Sequence, residues 1–308
     1  MNSIAVIGSL NIDLVVQTTR VPEAGETLSG DSFNVIPGGK GANQAVAASR
    51  AGGSVFMFGC VGQDTFGPKM ISELQKAGVN TEFVETVADV STGTATILVE
   101  QSGENRIVIV PGANAYVTPE WIDDRWDEIS KSSLILLQHE VPLETVFHII
   151  HRAAEDNIPV VLNPAPIYPI PENYLKQVSV LIVNEIECAS LVGFPITDRL
   201  RAKEAAEILH YQGIDTVIVT LGSGGAFILN TDTNFHQPAF QVEVVDTTAA
   251  GDTFVGAFAA SMLQKKSTQE AMRFSSAAAA LAVTELGAQT SIPNAEEVYR
   301  YLLENQTD

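Results

Sequence analysis

Basic side chains are scarce in this sequence. Lys and Arg number 17 against 37 Asp and Glu, a formal charge of −20 over 308 residues. Such a chain repels polyanions, which disfavours general binding to DNA, RNA or anionic membranes. Cysteine is nearly missing: Cys60 and Cys188 stand far apart and form no CxxC pair. That argues against a disulfide framework or a zinc ribbon and suits a reducing cytoplasm. The first residues lack a basic n-region and soon carry Asp13, so no signal peptide is expected. The longest apolar runs, 254–263 and 277–283, are too short to span a bilayer. Neither GxSxG nor HExxH occurs, and no GxGxxG follows the first strand. His148 and His151 lie three apart on an expected helix without a carboxylate to complete a metal site, so they read as a solvated face.

What is present is globular. Hydrophobic residues make up 45% and charged residues 18%, and a chain of this length buries a core without a disulfide or metal staple. Near-continuous apolar runs at 4–8, 55–62, 134–138, 159–163, 179–184 and 216–222 read as buried strands of a parallel sheet. Helical patterns at 42–51, 65–77, 142–156, 185–192 and 200–212 alternate with them. The alternation predicts a doubly wound α/β domain with a mostly parallel central sheet. After 222, GAFIL (225–229) and FQVEVV (240–245) read as antiparallel strands, followed by helices at about 250–264, 268–286 and 294–304. Segments 13–36, with strands expected at 13–19 and 26–36, and 92–110, with strands expected at 92–100 and 105–110, differ. They mix Thr, Ser, Gln and Glu with β-branched residues, as half-exposed antiparallel strands do. They predict a small sheet inserted discontinuously into one domain spanning 1–308, placed as a lid, with a hairpin turn at Ser102-Gly103-Glu104.

The densest chemical signal is DTTAAGDTFVGAF (246–258). Ala249, Ala250 and Gly251 carry little bulk before an apolar helix, so unpaired N–H groups at its N-terminus can approach an anion closely. Asp252 stands at that terminus as a candidate proton acceptor, or else as a simple cap. PGGKGANQAVAA (37–48) is not a Walker A loop, since Gly41 follows Lys40 and the upstream glycine is missing. Its Lys40 and Asn43 can hydrogen-bond a polyol, or the run is only turn chemistry. Asn11 and Asp13 share one side of a strand exit. Glu140, Asn184, Glu187 and the glycine-rich TLGSGG (220–225) follow other strands. Polar or glycine-rich elements at five strand ends are what one crevice along a sheet edge produces.

These segments resemble the PfkB-type carbohydrate kinases. GSLNIDLV, PGGKGANQAVAA, LNPAP (162–166), VNEIE, VTLGSGGAF, DTTAAGDTFVGAF and LGAQTSIP (286–293) carry the likeness over nearly the whole chain. GGKGANQA and NPAP narrow it towards members acting on D-ribose. The resemblance implies an α/β fold with a β-sheet lid that often pairs with a second subunit's lid. The implied reaction is ATP-dependent phosphorylation of D-ribose at its 5-hydroxyl, giving D-ribose 5-phosphate and ADP. Asp252 would be the base, and Ala249, Ala250 and Gly251 the anion hole. Asn11, Asp13, Gly39, Lys40, Asn43 and Glu140 would bind the sugar. Asn184, Thr220, Leu221, Gly222, Ser223, Gly224, Gly225, Gly251 and Ser276 would contact ATP, with Glu187 acting on the Mg²⁺ and phosphate network. Asp246, Thr248, Ala282, Glu285, Gly287 and Ser291 would surround K⁺, chiefly through backbone carbonyls.

Two positions depart from the resemblance. Gly224 and Glu285 stand where Lys or Arg is common, which implies weaker nucleotide affinity. The rival readings are another kinase of the family, acting on deoxyribose, fructose or a nucleoside, and a sugar-binding regulator without catalysis. A nucleoside kinase would need an apolar or aromatic slot near the lid, and Phe33 is the only aromatic there. The intact Asp252 and its small-residue run argue against the regulator.

Overall fold

The computed structural model describes residues 2–305. Among these residues, thirteen strands form two sheets. The larger joins β1 (Ile4–Ile7), β4 (Val55–Gly62), β5 (Asn80–Val87), β8 (Leu134–Gln138), β9 (Val160–Asn163), β10 (Val180–Asn184), β11 (Thr216–Thr220), β12 (Ala226–Asn230) and β13 (Asn234–Gln237). Its spatial order is β13-β12-β11-β10-β9-β8-β1-β4-β5, with the β11–β12 and β12–β13 pairings antiparallel and the others parallel. The central strands are buried throughout, as their unbroken apolar runs require when helices cover both faces.

Helices cover both faces. On one lie α1 (Lys40–Arg50), α2 (Phe66–Lys76), α9 (Ala250–Leu263), α10 (Thr268–Ala282) and α11 (Ala295–Glu304), sharing a core with Val6, Met57 and Leu136. On the other lie α3 (Pro119–Asp123), α4 (Trp126–Ile129), α5 (Leu143–Glu155), α6 (Glu172–Leu175), α7 (Glu185–Val192) and α8 (Arg199–Tyr211), packed on Ile7, Leu137 and Val183. Alternate residues of each strand feed the two cores, the period of two expected of a pleated strand. Glycine brings α1 and α9 together: a Cβ on Gly256 would sit 2.5 Å from the Gln44 carbonyl oxygen.

The smaller sheet has the order β3 (Ser32–Gly38), β2 (Asn11–Thr18), β6 (Gly93–Glu100), β7 (Asn105–Val110). β2 pairs in parallel with β6, and the two outer pairings are antiparallel. The expected hairpin turn between β6 and β7 is present, closed by the Gly103 amide on the Glu100 carbonyl at 2.9 Å. All six residues of β7 are exposed.

Four expectations need correction. FQVEVV (240–245) is not a strand. Pairing with β12 is taken by β13 instead and ends before Pro238, which has no N–H to donate. Val245 instead bonds to the Val283 carbonyl at 2.8 Å. That contact lies just past the end of α10 at Ala282, four residues short of the expected helix end at 286. In the lid, residues 26–31 are loop and the strand runs 32–38. β5 carries no buried-strand signal because it is a half-exposed edge, NTEFVETV.

Candidate active site

β1 leads to β4 on one side of the larger sheet, and β8 later pairs with β1 on the other. The order reverses there, and crevices open beyond the carboxyl ends of strands at such a switch. The lid begins at the same point. Asn11, the first residue of β2, pairs with Gly38 and Gly93, so the base of the small sheet stands over this edge.

A hydrogen-bonded seam ties the two halves of the switch together. Glu140, past β8, accepts from the Ser9 hydroxyl at 2.5 Å and from the Lys40 amide at 2.9 Å. Ser9 accepts in turn from the Gly41 amide at 3.2 Å. The N-terminus of α1 lacks a cap of its own, and these partners satisfy it from across the sheet. Gly39 is left-handed, and a Cβ there would lie 2.8 Å from the Asn11 amide nitrogen. Asn114 fixes Asn11, donating to its Oδ1 at 2.7 Å.

Asp252 sits in the first turn of α9 with 7% of its surface exposed. Its Oδ2 accepts from Asn43 at 3.1 Å and its Oδ1 from Gln44 at 2.9 Å. Asn43 and Gln44 face it because α1 packs on α9. The buried Asn43 Oδ1 has no partner, which leaves an acceptor free beside the carboxylate. The Gln44 amide is held on both sides: Nε2 also donates to Asn163 Oδ1 at 3.1 Å, and Oε1 accepts from Gln138 at 2.8 Å. Asn163 is oriented by the Ile182 carbonyl at 2.9 Å.

At the start of α9, Ala249 is left-handed and no side chain caps the helix. The Ala250 amide bonds to Thr247 and the Thr253 amide to Ala249. Between them, the Gly251 and Asp252 amides have no acceptor among the described residues. A Cβ on Gly251 would meet nothing within 4 Å. Protein packing therefore does not require glycine there, and the open space lies over a free helix N-terminus.

Charge concentrates at this edge. Burial, helped by Glu140 and then Asp252, pushes the Asp13 carboxyl up to about 6. The negative charge of Asp252 raises the Lys40 ammonium against the cost of burial, with Glu140 and Glu187 adding to it. Burial also raises Glu187. Asp252, Glu140 and Glu187 thus share one field around Lys40, and Asp13 couples to the first two.

The positions assigned to the nucleotide lie along the same edge, at β10, β11 and α10. Asn184 and Glu187 form a reciprocal capping box on α7: Asn184 Oδ1 accepts from the Glu187 amide at 2.8 Å, and Glu187 accepts from the Asn184 amide at 3.0 Å. Thr220 ends β11, and Gly222–Gly224 form a single 3₁₀ turn. Gly225 is structural, since a Cβ would lie 2.2 Å from the Gln237 carbonyl. Leu221, Gly222, Ser223 and Gly224 leave the turn accessible. The buried Ser276 hydroxyl on α10 has no partner.

Asp246 joins two loops. It accepts from the Thr248 amide and hydroxyl at 2.9 and 2.6 Å, and from the Gly287 amide at 3.0 Å. Burial opposes its ionisation, but these bonds outweigh it and hold its carboxyl below the ordinary range. The loops carrying Thr248, Ala282, Glu285, Gly287 and Ser291 are therefore tethered, and Asp246 itself is committed to the protein.

The comparisons with known proteins agree with this geometry. Residues 1–295 match the pfkB family of carbohydrate kinases. The chain belongs to that family. It is 39% identical over 300 residues to a ribokinase of Haemophilus influenzae, covering 97% of this chain and 98% of that one. It is 40% identical over 304 residues to a deoxyribokinase of Salmonella typhimurium, covering 98% and 99%. Among solved structures, an Arabidopsis thaliana ribokinase complexed with ribose and ATP superposes with a TM-score of 0.92 at 34% identity, covering 97% of this chain and 98% of that one. The α/β architecture with a small second sheet is that of this pfkB family.

Sequence reasoning missed Ser9, Gln44, Gln138, Asn163 and Asn114. Gln44 and Asn163 lie inside GANQA and LNPAP, motifs that marked the family without assigning these side chains a role. Ser9 lies likewise inside GSLNIDLV, whereas nothing in the sequence singles out Gln138 or Asn114, whose importance comes from strands adjacent only in space.

Proposed function

We propose that this pfkB-family enzyme transfers the γ-phosphoryl group of ATP to the 5-hydroxyl of D-ribose, with Asp252 as base. The observation that carries this reading is a buried carboxylate at an uncapped helix N-terminus, facing polar groups that suit a polyol. Asn11, Asp13, Gly39, Lys40, Asn43 and Glu140 would hold the sugar. Carboxylates accept from hydroxyl groups, and three of them surround the cradle, so a neutral polyol is favoured over a sugar phosphate. With the 5-hydroxyl on Asp252, the proton passes to the carboxylate as the oxygen attacks. Ala249, Ala250 and the free Gly251 and Asp252 amides would accept the charge of the transferring group in place, without reorganisation.

ATP would lie along Asn184, Thr220–Gly225 and Ser276, and the orphaned Ser276 hydroxyl suits a polar ligand atom. Among the described residues no cluster of three or more His, Cys, Asp and Glu could hold a metal ion. The donor chemistry at 246–291, carbonyls and hydroxyls with Asp246 tethering the loops, fits a monovalent ion such as K⁺. Mg²⁺ would arrive with the nucleotide, near Glu187. When bound, the two ions supply positive charge at the polyphosphate that the −20 chain lacks.

The exposed β7, with Ile107, Val108, Ile109 and Val110 each about half or more exposed, supports a homodimer formed through the lid. A cytoplasmic setting is supported by Cys60 and Cys188, both buried and unpaired. No helix among the described residues is long and apolar enough to cross a membrane.

The Salmonella relative keeps 2-deoxyribose as a second reading, because its identity equals that of the ribokinases. ADP release with ribose, deoxyribose and fructose, with and without K⁺, separates them. Turnover on none would remove the kinase reading, and preference for deoxyribose would move the assignment within the family. In the same assay, Asp252→Asn should lower kcat by about 10²–10⁴ while ribose still binds.

A further inference from the structure

The segment that follows α10 is held from two sides. Asp246 takes the Gly287 amide at 3.0 Å. Arg50, the last residue of α1, takes two carbonyls three residues apart. Its Nη1 donates to Gln289 at 2.8 Å and to Ile292 at 2.5 Å. The loop 284–293 therefore hangs between a carboxylate that accepts an N–H and a guanidinium that donates to C=O groups. It also borders an open chamber of about 520 Å³, with Thr284, Thr290 and Ser291 among the walls. Side-chain packing is thin on that side, so the two tethers carry the shape of the loop.

Arg50 is a scarce kind of residue in an uncommon role. It is half-buried, and in a chain with 37 acidic side chains it forms no ion pair among the described residues. Burial opposes its charge, and Glu297 offsets this only in part. Its donors go instead to backbone oxygens of one loop. The carbonyls of that loop divide into two sets. Leu286 accepts from the Thr290 hydroxyl at 3.0 Å and Ala288 from the Ser291 hydroxyl at 2.9 Å. With Gln289 and Ile292 on Arg50, the carbonyls of Glu285, Gly287, Thr290 and Ser291 are left without a donor among the described residues. Three of these four positions are ones assigned to K⁺.

We infer that Arg50 is a positioning residue of the cation loop: it draws the 289 and 292 carbonyls to itself and so leaves their neighbours free and ordered for a monovalent cation. This rests on the K⁺ reading of the 246–291 loops. Arg50 does not reach the sugar cradle, because Lys40 stands at the other end of α1, about 15 Å along the helix. Its action is preorganisation, since a loop already ordered gives up less on binding. Coulomb's law alone predicts the opposite sign. A nearby guanidinium repels K⁺, so removing its charge would tighten binding. The direction of the change therefore separates ordering from repulsion.

The test is thermal unfolding of the full chain titrated with KCl, with choline chloride holding the ionic strength constant, for the wild type, Arg50→Met and Arg50→Gln. An ion that binds the folded state raises Tm with its concentration, which reads K⁺ affinity without turnover. Tm of the wild type should rise with KCl. The Kd fitted from that rise should be about tenfold higher in either variant, the effect of losing one charge-assisted bond. The KCl that half-activates ADP release should move by the same factor, with the KM for ribose little changed. Arg50→Gln keeps a donor and serves if Arg50→Met does not fold. An arginine with only a structural role would lower Tm in choline chloride and leave the K⁺ Kd in place. That result, or a tighter Kd, would overturn the role of Arg50 and leave the K⁺ reading intact. A wild type whose Tm and turnover both ignore KCl would remove the K⁺ site and this inference together.

Discussion

Gln44 makes the sharpest prediction. Its amide nitrogen donates to Asp252 Oδ1 at 2.9 Å and to Asn163 Oδ1 at 3.1 Å, and its oxygen accepts from Gln138 at 2.8 Å. Gln138 and Asn163 thus fix which end of the amide faces the carboxylate. Gln44→Met keeps much of the shape and removes the donor. A hydrogen bond to a charged group contributes about 1.5–3 kcal/mol, and each 1.4 kcal/mol of lost orientation is about tenfold in rate. The variant should therefore lose about 10- to 100-fold in kcat, with the KM values for ribose and ATP little changed.

The same substitution strands the Gln138 donor and the Asn163 acceptor in a buried place. Each orphaned group costs about 1–3 kcal/mol, so Tm should fall as well. A fall in Tm alone would be expected of any buried glutamine. The split between kcat and KM tells the cases apart, because damage to the packing of the site moves the KM values together with kcat. An unchanged kcat in the folded variant, measured by ADP release, would refute the orienting role.

Asp13→Asn should stabilise the unliganded protein at pH 7. Burial raises the folded-state carboxyl from 3.8 to about 6, so the folded state binds the proton more tightly and stability falls as pH rises between those values. The gain on substitution is about 3 kcal/mol at most, and it should vanish near pH 4, with weaker ribose binding throughout; a pH-independent gain in Tm would refute it. Gly251→Ala should leave the unfolding free energy unchanged or raise it by the roughly 0.5–1 kcal/mol of a helical Gly to Ala change, yet lower kcat, because its methyl enters the open space over the helix N-terminus. Gly224→Lys should tighten nucleotide Kd, measured by calorimetry. The position can take a side chain, since a Cβ there meets only Leu221 Cβ at 3.2 Å.

The larger sheet was legible because its strands are buried on both faces and read as unbroken apolar runs. The lid was legible for the opposite reason, its half-exposed alternation. Where a segment is held by one or two backbone contacts, as at 240–245, apolar content misleads: Val244 and Val245 are more than half exposed. β5 failed from the other direction, since a polar edge strand resembles loop. In the site, the residues at strand ends were legible by position, whereas Gln44, Gln138 and Asn163 were not. Their chain of amides joins α1, β8 and β9, and its meaning exists only once those elements are neighbours.

The two glycine-rich helix starts show how far local pattern goes. Both α1 and α9 begin at a left-handed residue, Gly39 and Ala249, and neither has a side-chain cap of its own. By sequence, the start of α9 reads as an anion site and that of α1 as a turn that could bind a polyol. In the fold, α1 is already satisfied, because Glu140 and Ser9 bond to its first amides, and its dipole serves to hold a protein carboxylate. The first turn of α9 meets no such partner, and the Gly251 and Asp252 amides remain free. The distinction is made by β1 and β8, whose exits carry Ser9 and Glu140 to α1. On the proposed reading, the same physics positions an acceptor-binding acid at one helix and leaves amides free for a phosphoryl group at the other. Moving the acid should therefore change acceptor binding first: Glu140→Gln would weaken the charge-assisted bonds to Ser9 and Lys40. Its expected signature is a raised KM for the sugar with the KM for ATP little changed, and the reverse pattern would contradict this division of the two helix ends.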